Sequence, residues 1–148
     1  MLCKQKSKQI LKRTRQRSLL MAKVRQEGSA PEQTVRNMLV ELGLPFKING
    51  KALPGSPDIY RPGLQCALFI HGCFWHRHRG CSAATTPKTN QAFWKKKFTA
   101  NVARDKRKSS QLRRLGYRVL TVWECQIESE QRRERIRNRL NLFFRGAN

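Results

Sequence analysis

Carboxylates are scarce in this 148-residue chain. Nine Asp and Glu residues stand against 32 Lys and Arg, and the formal net charge is +23. Such an imbalance favours a polyanionic partner, with nucleic acid as the leading candidate and an acidic membrane as the runner-up. The sequence also lacks a long apolar segment and a lipidation motif, so we expect no membrane association. The basic N-terminus lacks the apolar run and cleavage site of a secretory signal.

Cysteine is limited to five residues, an odd number. Without an export signal, this count indicates a reducing compartment, where clustered cysteines are more often metal ligands than disulfides. We therefore expect a cytoplasmic protein. The length predicts one domain with a modest core, over residues 29–148, preceded by a basic arm over residues 1–28 that contacts DNA.

One stretch, residues 71–81, concentrates the residue types that carry chemistry. It contains all three histidines of the chain, two of its five cysteines and an adjacent Phe-Trp pair. Imidazole and guanidinium groups are costly to bury without partners, so this is a poor core segment. We interpret it as a site that holds metal ligands, a candidate base and large aromatic rings.

Three helices are indicated by caps and by apolar periodicity. Ser29 and Glu32 form a capping box, which by itself explains Glu32, and Gly43 ends this first helix. A long helix is expected from about Asn90 to Leu115, and a basic amphipathic helix from about Ser129 to Phe144.

Strands are indicated by a start at Asp58, by the apolar run Leu64–Ile70 and by the run Tyr117–Trp123. A hairpin through residues 61–63 would bring Asp58 close to the end of the second strand. The order of elements predicts an α/β domain with a central mixed sheet flanked by helices.

The long helix carries polar residues on its apolar stripe. Asn101 and Asp105 align with the positions that should be buried, and Asp105 is one of only nine acids. A buried acid among cations is a candidate functional group. Alternatively, the stripe rotates at this point and Asp105 points to solvent. The apolar members of the stripe are Trp94, Phe98, Leu112 and Leu115.

A metal site is indicated by the spacing Cys73-x4-His78-x2-Cys81. Cys125, at the end of a strand, can supply a fourth ligand, and Cys3His is a common composition of structural zinc sites. Four protein ligands leave no position open for water. The spacing differs from standard zinc fingers, and the alternative is that these cysteines bind no metal. Cys66 fits that alternative well, because it lies within an apolar strand.

Catalytic candidates follow from what phosphodiester hydrolysis requires, which is a hard cation, a positioned water and a base. Asp58 can bind Mg²⁺, and a backbone carbonyl near Ile70 can add a second ligand. His76 and Asp105 would make a base paired with a carboxylate, and His71 could stabilise the charge that develops on the phosphate. Alternatively, His71 and His76 bind zinc or only form hydrogen bonds within the loop.

The motifs, in this order, resemble those of the very-short-patch repair endonucleases, bacterial nickases that act at thymine–guanine mismatches. The resemblance runs from about Met21 to Cys125. It implies a fold similar to restriction endonucleases, with a structural zinc. The matching motifs are Leu53–Asp58, Phe69–His76, Phe93-Trp94, Asn101, Arg104-Asp105 and Val122–Cys125.

For catalysis, the resemblance implies that Asp58 and the Ile70 carbonyl bind Mg²⁺. It implies that His76 is the general base and that Asp105 orients it. The supporting residues would be His71, Glu32 and Asn101.

The resemblance also assigns the aromatic pair and the arm to DNA. Phe74 and Trp75 would wedge into the base stack next to the mismatch, and Met21 with Val24 would insert from the other groove. A mismatch favours such a wedge, because the pair is already weak. The alternative role of the rings is core packing. The implied zinc ligands are Cys73, His78, Cys81 and Cys125.

The expected function is therefore a Mg²⁺-dependent endonuclease that nicks one strand 5′ of the thymine at a T·G mismatch in double-stranded DNA. The alternatives are a zinc-stabilised DNA-binding module without catalysis and a restriction-type endonuclease that cuts both strands. A monomer is expected, because one nick at an asymmetric mismatch needs one active site. The expected location is the nucleoid in the bacterial cytoplasm, with mismatch-repair proteins as candidate partners.

Overall fold

The structure is a computed structural model that describes residues 28–146. The arm over residues 1–28 that was predicted to contact DNA, together with Met21 and Val24, therefore lies outside the described residues except for Gly28. The helices are α1 (Ala30–Glu41), α2 (Gln91–Arg114) and α3 (Glu130–Arg145), and the strands are β1 (Lys47–Ile48), β2 (Ile59–Arg61), β3 (Cys66–His71) and β4 (Arg118–Trp123).

The four strands form one mixed sheet in the order β1-β2-β3-β4. The pairs β1–β2 and β2–β3 are antiparallel, whereas β3 and β4 are parallel. Because parallel neighbours need a long crossover, the chain crosses from β3 to β4 through α2. The predicted α/β domain with a mixed sheet is confirmed.

The first helix begins as its sequence predicts. The Ser29 side chain accepts a hydrogen bond from the Glu32 backbone N–H, and Gly43 follows the helix with φ of 63°. The second half of the capping box differs from the usual form. Glu32 Oε2 accepts from the backbone N–H of Gly28 at 2.8 Å, one residue before the cap. Glu32 thus holds the chain at the point where the described residues begin.

Both faces of β3 are covered by helices. Cys66, Leu68 and Ile70 lie in the core formed with α1 and α3, whereas Ala67 and Phe69 pack with Leu112 of α2. The domain therefore has three layers, with the sheet between α1 and α3 on one side and α2 on the other. A strand buried on both faces reads as a continuous apolar run, which explains the composition of β3.

The apolar stripe of α2 is shorter than predicted. Trp94, Phe98 and Leu112 are buried, but Leu115 is 54% exposed. Leu115 caps the helix instead of continuing it, because the chain turns there into Gly116, whose φ is 87°.

The carboxyl ends of β3 and β4 lie side by side, with His71 in register with Trp123. The loop after β3 and the short 3-10 helix Glu124–Ile127 after β4 therefore meet at one edge of the sheet. This edge holds the chemistry-bearing residues described below. Among residues 28–146, no helix is both long and apolar enough to cross a membrane.

Candidate functional site

The loop after β3 is a compact series of turns. The backbone N–H of His76 donates to the Gly72 carbonyl at 3.1 Å, and that of His78 donates to the Cys73 carbonyl at 3.0 Å. Arg77 has a left-handed backbone with φ of 56°, and its guanidinium lies 4.1 Å from the ring centre of Phe98. The loop is thereby attached to α2.

Asp58 lies against the end of β3, as the hairpin predicted. Its Oδ2 accepts a hydrogen bond from the Ile70 backbone N–H at 2.7 Å. The backbone polar groups of successive strand residues face opposite neighbouring strands. The Gln65 carbonyl faces β4, because it accepts from the Arg118 N–H. The Ile70 carbonyl, five residues later, therefore faces β2. Extending the register of Ile59 with Leu68 puts Pro57 opposite Ile70. Proline has no N–H, so this strand position cannot donate to the Ile70 carbonyl.

Burial raises the pKa of Asp58 to about 6, and the nearby Glu32 carboxylate acts in the same direction. The hydrogen bond from Ile70 partly opposes this rise. Glu32 itself is buried and accepts from Arg36 at 3.2 Å. Two acids at one edge of a very basic protein, one of them destabilised as an anion, form a site that a hard cation would stabilise.

His76 and Asp105 form a pair that joins the loop to α2. The distance from His76 Nδ1 to Asp105 Oδ2 is 2.6 Å. The alternative that Asp105 points to solvent is wrong, because its side chain is only 20% exposed and is bonded to the imidazole. The pair leaves His76 Nε2 available to accept a proton.

His71 stacks on His76 with ring centres 3.8 Å apart and planes at 6°. The pKa of His71 is lowered to about 4, mainly by burial and to a smaller extent by the neighbouring His76. His71 is therefore neutral near pH 7. Burial acts to raise the pKa of Asp105, but the hydrogen bond and charge of His76 outweigh it, so this pKa is lowered and Asp105 is ionised.

One open cavity of about 1010 Å³ is lined by the acids and histidines described above, which are Glu32, Asp58, His71, His76 and Asp105. The cavity is also lined by cations from α2, which share a face of that helix because of their spacing. These cations balance the local acids and give the cavity walls affinity for an anion. They are Lys97, Arg104 and Lys108.

The aromatic pair lies at the rim of this cavity. Phe74 and Trp75 are half-buried, and the Phe74 ring is 5.7 Å from that of Trp94 and 5.2 Å from that of Phe98. Asn101 donates to the Trp75 carbonyl at 3.1 Å and so fixes the backbone that carries the rings. The rings are supported by α2 on one side and face the cavity on the other.

A second group of residues that can bind a metal joins the loop after β3 to the 3-10 helix after β4. The three Sγ atoms and the ring nitrogen of this group lie within 4.8 Å of one another. The sulfurs of Cys73 and Cys125 are 3.5 Å and 3.3 Å from His78 Nδ1, and the His78 ring stacks on Trp123 at 4.3 Å. Burial and two neighbouring thiols raise the pKa of Cys125 to about 12, a cost that a bound cation would remove. The members of the group are Cys73, His78, Cys81 and Cys125.

This chain is similar in sequence to known proteins of one family. A family model described as DNA mismatch endonuclease Vsr matches residues 10–82. The DNA mismatch endonuclease Vsr of Escherichia coli (strain K12) is 39% identical over 116 residues, which cover 78% of this chain and 74% of that protein. The chain belongs to the DNA mismatch endonuclease Vsr family. The predicted family is thereby confirmed.

Other Vsr relatives are named as nicking enzymes. The type II nicking enzyme V.XorIIP of Xanthomonas oryzae pv. oryzae is 43% identical over 126 residues, covering 84% of this chain and 92% of the relative. The type II nicking enzyme V.NmeAIP of Neisseria meningitidis is 38% identical over 132 residues, covering 89% and 91%. Together the relatives identify this chain as a DNA endonuclease.

The structure separates two sets of residues that lie interleaved in the sequence of the Vsr chain. His71, His76 and Asp105 form one cluster, and the cysteines with His78 form another. The alternative that His71 and His76 are ligands of the cysteine site therefore finds no support. Asn101 contacts the backbone of the loop, and Glu32 lies in the cavity with Asp58.

Sequence reasoning missed several residues of the Vsr site. Arg36 lies one helical turn after Glu32 and donates a hydrogen bond to its carboxylate. The spacing of four residues in a predicted helix was a usable signal for this ion pair. Trp123 was assigned to a strand and to the motif Val122–Cys125, but its stacking on His78 was not predicted, since nothing local indicates which ring it meets.

Proposed function

We propose that this protein nicks one strand of double-stranded DNA at a T·G mismatch, 5′ of the thymine, by Mg²⁺-dependent hydrolysis. The observation that carries the proposal is the meeting of Asp58, His71 and the His76–Asp105 pair in one basic cavity of a Vsr-family chain. The printed name of the family suggests the mismatch, and the chemistry of the site suggests the metal; experiment must test both.

Asp58 and the Ile70 carbonyl are the proposed Mg²⁺ ligands. Both are hard oxygen donors, and they lie side by side on neighbouring segments of the sheet, Asp58 just before β2 and Ile70 in β3. Pro57, which the extended register places opposite Ile70, has no N–H to donate to this carbonyl, and the Asp58 carboxylate is costly to keep ionised without a cation. These two observations support a hard cation here. When bound, Mg²⁺ would neutralise charge on the phosphate and on the leaving oxygen.

His76 is the proposed general base. Asp105 holds the Nδ1 proton, so Nε2 is left to take the proton of the attacking water. Asp105 also stabilises the imidazolium that forms. The neutral His71, stacked alongside, is proposed to donate a ring N–H to a phosphate oxygen, which supports the charge that develops there.

Glu32 and Asn101 are proposed to support the site. Glu32 is fixed by Gly28, Ser29 and Arg36, and so presents a fixed negative charge next to Asp58. Asn101 fixes the Trp75 carbonyl. Neither residue needs to touch the reacting phosphate in this account.

The cysteine group is proposed to hold a structural zinc. Three thiolates and one imidazole are a composition that zinc prefers, and a full set leaves no open position. Arg132 donates to the Cys125 carbonyl at 2.8 Å, which ties the site to α3. Zinc would join the loop, the 3-10 helix after β4 and α3.

Phe74 and Trp75 are proposed to wedge into the base stack. Their half-exposed rings lie at the cavity rim, and α2 supports them from behind. Unstacking a base step costs about a few kcal/mol, and a mismatch lowers that cost. Met21 and Val24 are proposed to insert from the other groove, which remains a sequence-based prediction.

The remaining expectations are also proposals. The family resemblance implies a fold similar to restriction endonucleases and supports action as a monomer in the bacterial cytoplasm, at the nucleoid. The basic arm over residues 1–28 is proposed to contact DNA, and mismatch-repair proteins are candidate partners.

One gel tests the function. A duplex with a T·G mismatch and its fully paired control, each labelled on either strand, are incubated with the protein with and without Mg²⁺. A single nick 5′ of the mismatched thymine, only with Mg²⁺, is the expected result. Cleavage of both strands of the paired duplex would support a restriction-type enzyme instead. Binding without any cleavage would support a DNA-binding module.

A further inference from the structure

The arginines of α3 fall into a paired and an unpaired set. Arg133 and Arg137 contact Glu130, and their charges are thereby compensated. Arg135 and Arg139 have no hydrogen-bond, ion-pair or ring partner among residues 28–146. They are four residues apart, so they share one face of the helix and repel each other. Nothing within the described fold offsets that repulsion.

The two unpaired arginines line a cavity of about 570 Å³ between α3 and the end of the loop after β3. Arg79 of the loop lines it too and also lacks a partner within the described chain. The only carboxylate among the described lining residues is Glu128, which already contacts Arg132 at 3.3 Å. Three guanidinium groups therefore surround a concave surface without compensating charge.

This surface lies close to the proposed catalytic cavity. His76 lines the proposed catalytic cavity, and Arg79 lines the smaller cavity beside α3. The two residues are three positions apart in the chain, so their Cα atoms are within about 11 Å of each other. Similarly, Glu124 lines the first cavity and Cys125 the second. The two cavities thus open on either side of one loop.

We propose that Arg79, Arg135 and Arg139, here named the α3 cleft, bind backbone phosphates of DNA that flank the cleavage position. This inference rests on the proposed function for the location of the DNA. Guanidinium forks match phosphate oxygens, and a duplex strand carries one phosphate per about 3.4 Å. The limit of about 11 Å between His76 and Arg79 corresponds to at most about three nucleotide steps of rise along the duplex axis, and the reach of the arginine side chains adds to this range. An acidic protein would satisfy the same charges, but only DNA is brought to this place by the neighbouring cavity.

The α3 cleft is tested with the double variant Arg135→Ala and Arg139→Ala. Alanine is the best helix former, so α3 is retained. Arg79 is left unchanged because it lies between His78 and Cys81. The charge-matched control is Arg113→Ala with Arg114→Ala, in the last turn of α2, which leads into the start of β4 at the opposite end of the sheet. Thermal unfolding of both variants establishes that they are folded.

The readout is the dissociation constant of a mismatched duplex, measured by fluorescence anisotropy across salt concentrations. Loss of two phosphate contacts reduces the magnitude of the negative slope of log K against log salt by about 2. It weakens binding about 30-fold at 0.15 M salt. Matched and mismatched duplexes are weakened alike, because phosphate contacts carry no sequence information. We expect the control to keep the wild-type slope. Equal slopes for the double variant and the control would overturn the proposal.

Nicking measured alongside separates this proposal from the proposed function. At subsaturating DNA the double variant is expected to nick more slowly than the wild type, in proportion to its weaker binding. Trimming the duplex on the flank that occupies the cleft should abolish the difference between variant and wild type. If the wild type fails to nick but the slope still falls, the α3 cleft stands and the proposed function is wrong. If the wild type nicks and neither slope nor trimming has an effect, the α3 cleft is wrong alone.

Discussion

His76 Nδ1 lies 2.6 Å from Asp105 Oδ2, although 29 residues separate the two in the chain. One belongs to the loop after β3 and the other to the middle of α2. The contact fixes both the tautomer of the imidazole and the orientation of its free nitrogen. This contact explains why a polar residue, Asp105, interrupts the apolar stripe of α2.

Asp105→Asn is expected to lower the rate of nicking about 100-fold to 10,000-fold, the usual contribution of a positioned general base. The amide has nearly the same shape but can present its NH₂ to Nδ1, which reverses the tautomer. DNA affinity should change little, because Asp105 is proposed to orient His76 and not to bind a phosphate. Single-turnover nicking and anisotropy of the same duplex measure the two effects.

Glu41→Gln serves as the control for Asp105→Asn, because it also neutralises one acid but lines neither the catalytic cavity nor the α3 cleft. The control should nick at the wild-type rate. A rate for Asp105→Asn within a few-fold of the wild type would contradict the assignment of His76 as the base.

Asp58 should make the Mg²⁺-free protein less stable as the pH rises. Its pKa is raised from 3.8 to about 6 in the folded state, so the folded protein binds more protons than the unfolded chain between these values. The stabilisation is complete below about pH 4 and is lost as the pH rises through 6. The shift corresponds to about 3 kcal/mol at most.

Denaturant unfolding at pH 4.5 and pH 7 measures this effect, in buffer without Mg²⁺ but with zinc retained. Asp58→Asn should remove the part of the pH dependence that arises in this window and should be the more stable protein at pH 7. An unchanged pH profile in Asp58→Asn would show that burial does not destabilise the carboxylate. Mg²⁺ should stabilise the wild type more than the variant at pH 7.

Local patterns sufficed for much of the fold. The Ser29 cap, the hairpin between β2 and β3 and the long α2 helix each arise from residues near one another in sequence. The approach of Asp58 to Ile70 could be predicted for the same reason, since the four residues between β2 and β3 leave little freedom. Such features need no knowledge of the rest of the molecule.

Contacts between distant elements could not be obtained in this way. The stacking of Trp123 on His78 depends on the parallel register of β3 and β4, which no local pattern specifies. The support of Phe74 by Trp94 and Phe98 depends on where α2 crosses the sheet. The half-buried state of this pair therefore appeared only in the structure.

Cys125→Ser should remove zinc from the protein. The wild type is expected to contain one zinc per chain, and loss of a ligand should weaken binding at least about 100-fold, since losing a group that only supports a ligand costs about 10–100-fold. The melting temperature should fall as well, because the site joins the loop to α3. Metal content by mass spectrometry and thermal unfolding test this.

Cys66→Ala is the matched variant, because Cys66 is buried in β3 away from the cysteine group. It should keep its zinc even though its core packing is altered. Full zinc content in Cys125→Ser would contradict the proposed ligand set.

Trp75→Ala should reduce the preference for mismatched over matched duplex about tenfold or more, since unstacking a base step is worth about a few kcal/mol. A fluorescent base analogue next to the mismatch reports the unstacking directly. Its emission should rise with the wild type and stay low with Trp75→Ala. Phe143→Ala, an aromatic change on α3 remote from the cavity, should behave as wild type. An equal rise with Trp75→Ala would show that this ring does not enter the stack.

Asp58 is proposed to hold the cation that makes the His76–Asp105 pair hydrolytic. The decisive experiment is single-turnover nicking of a T·G duplex, titrated with Mg²⁺ for the wild type and for Asp58→Ala. The wild type should show a saturable Mg²⁺ dependence and Asp58→Ala no detectable nick, with DNA binding retained by both. Nicking by Asp58→Ala at the wild-type rate and with the wild-type Mg²⁺ dependence would contradict it.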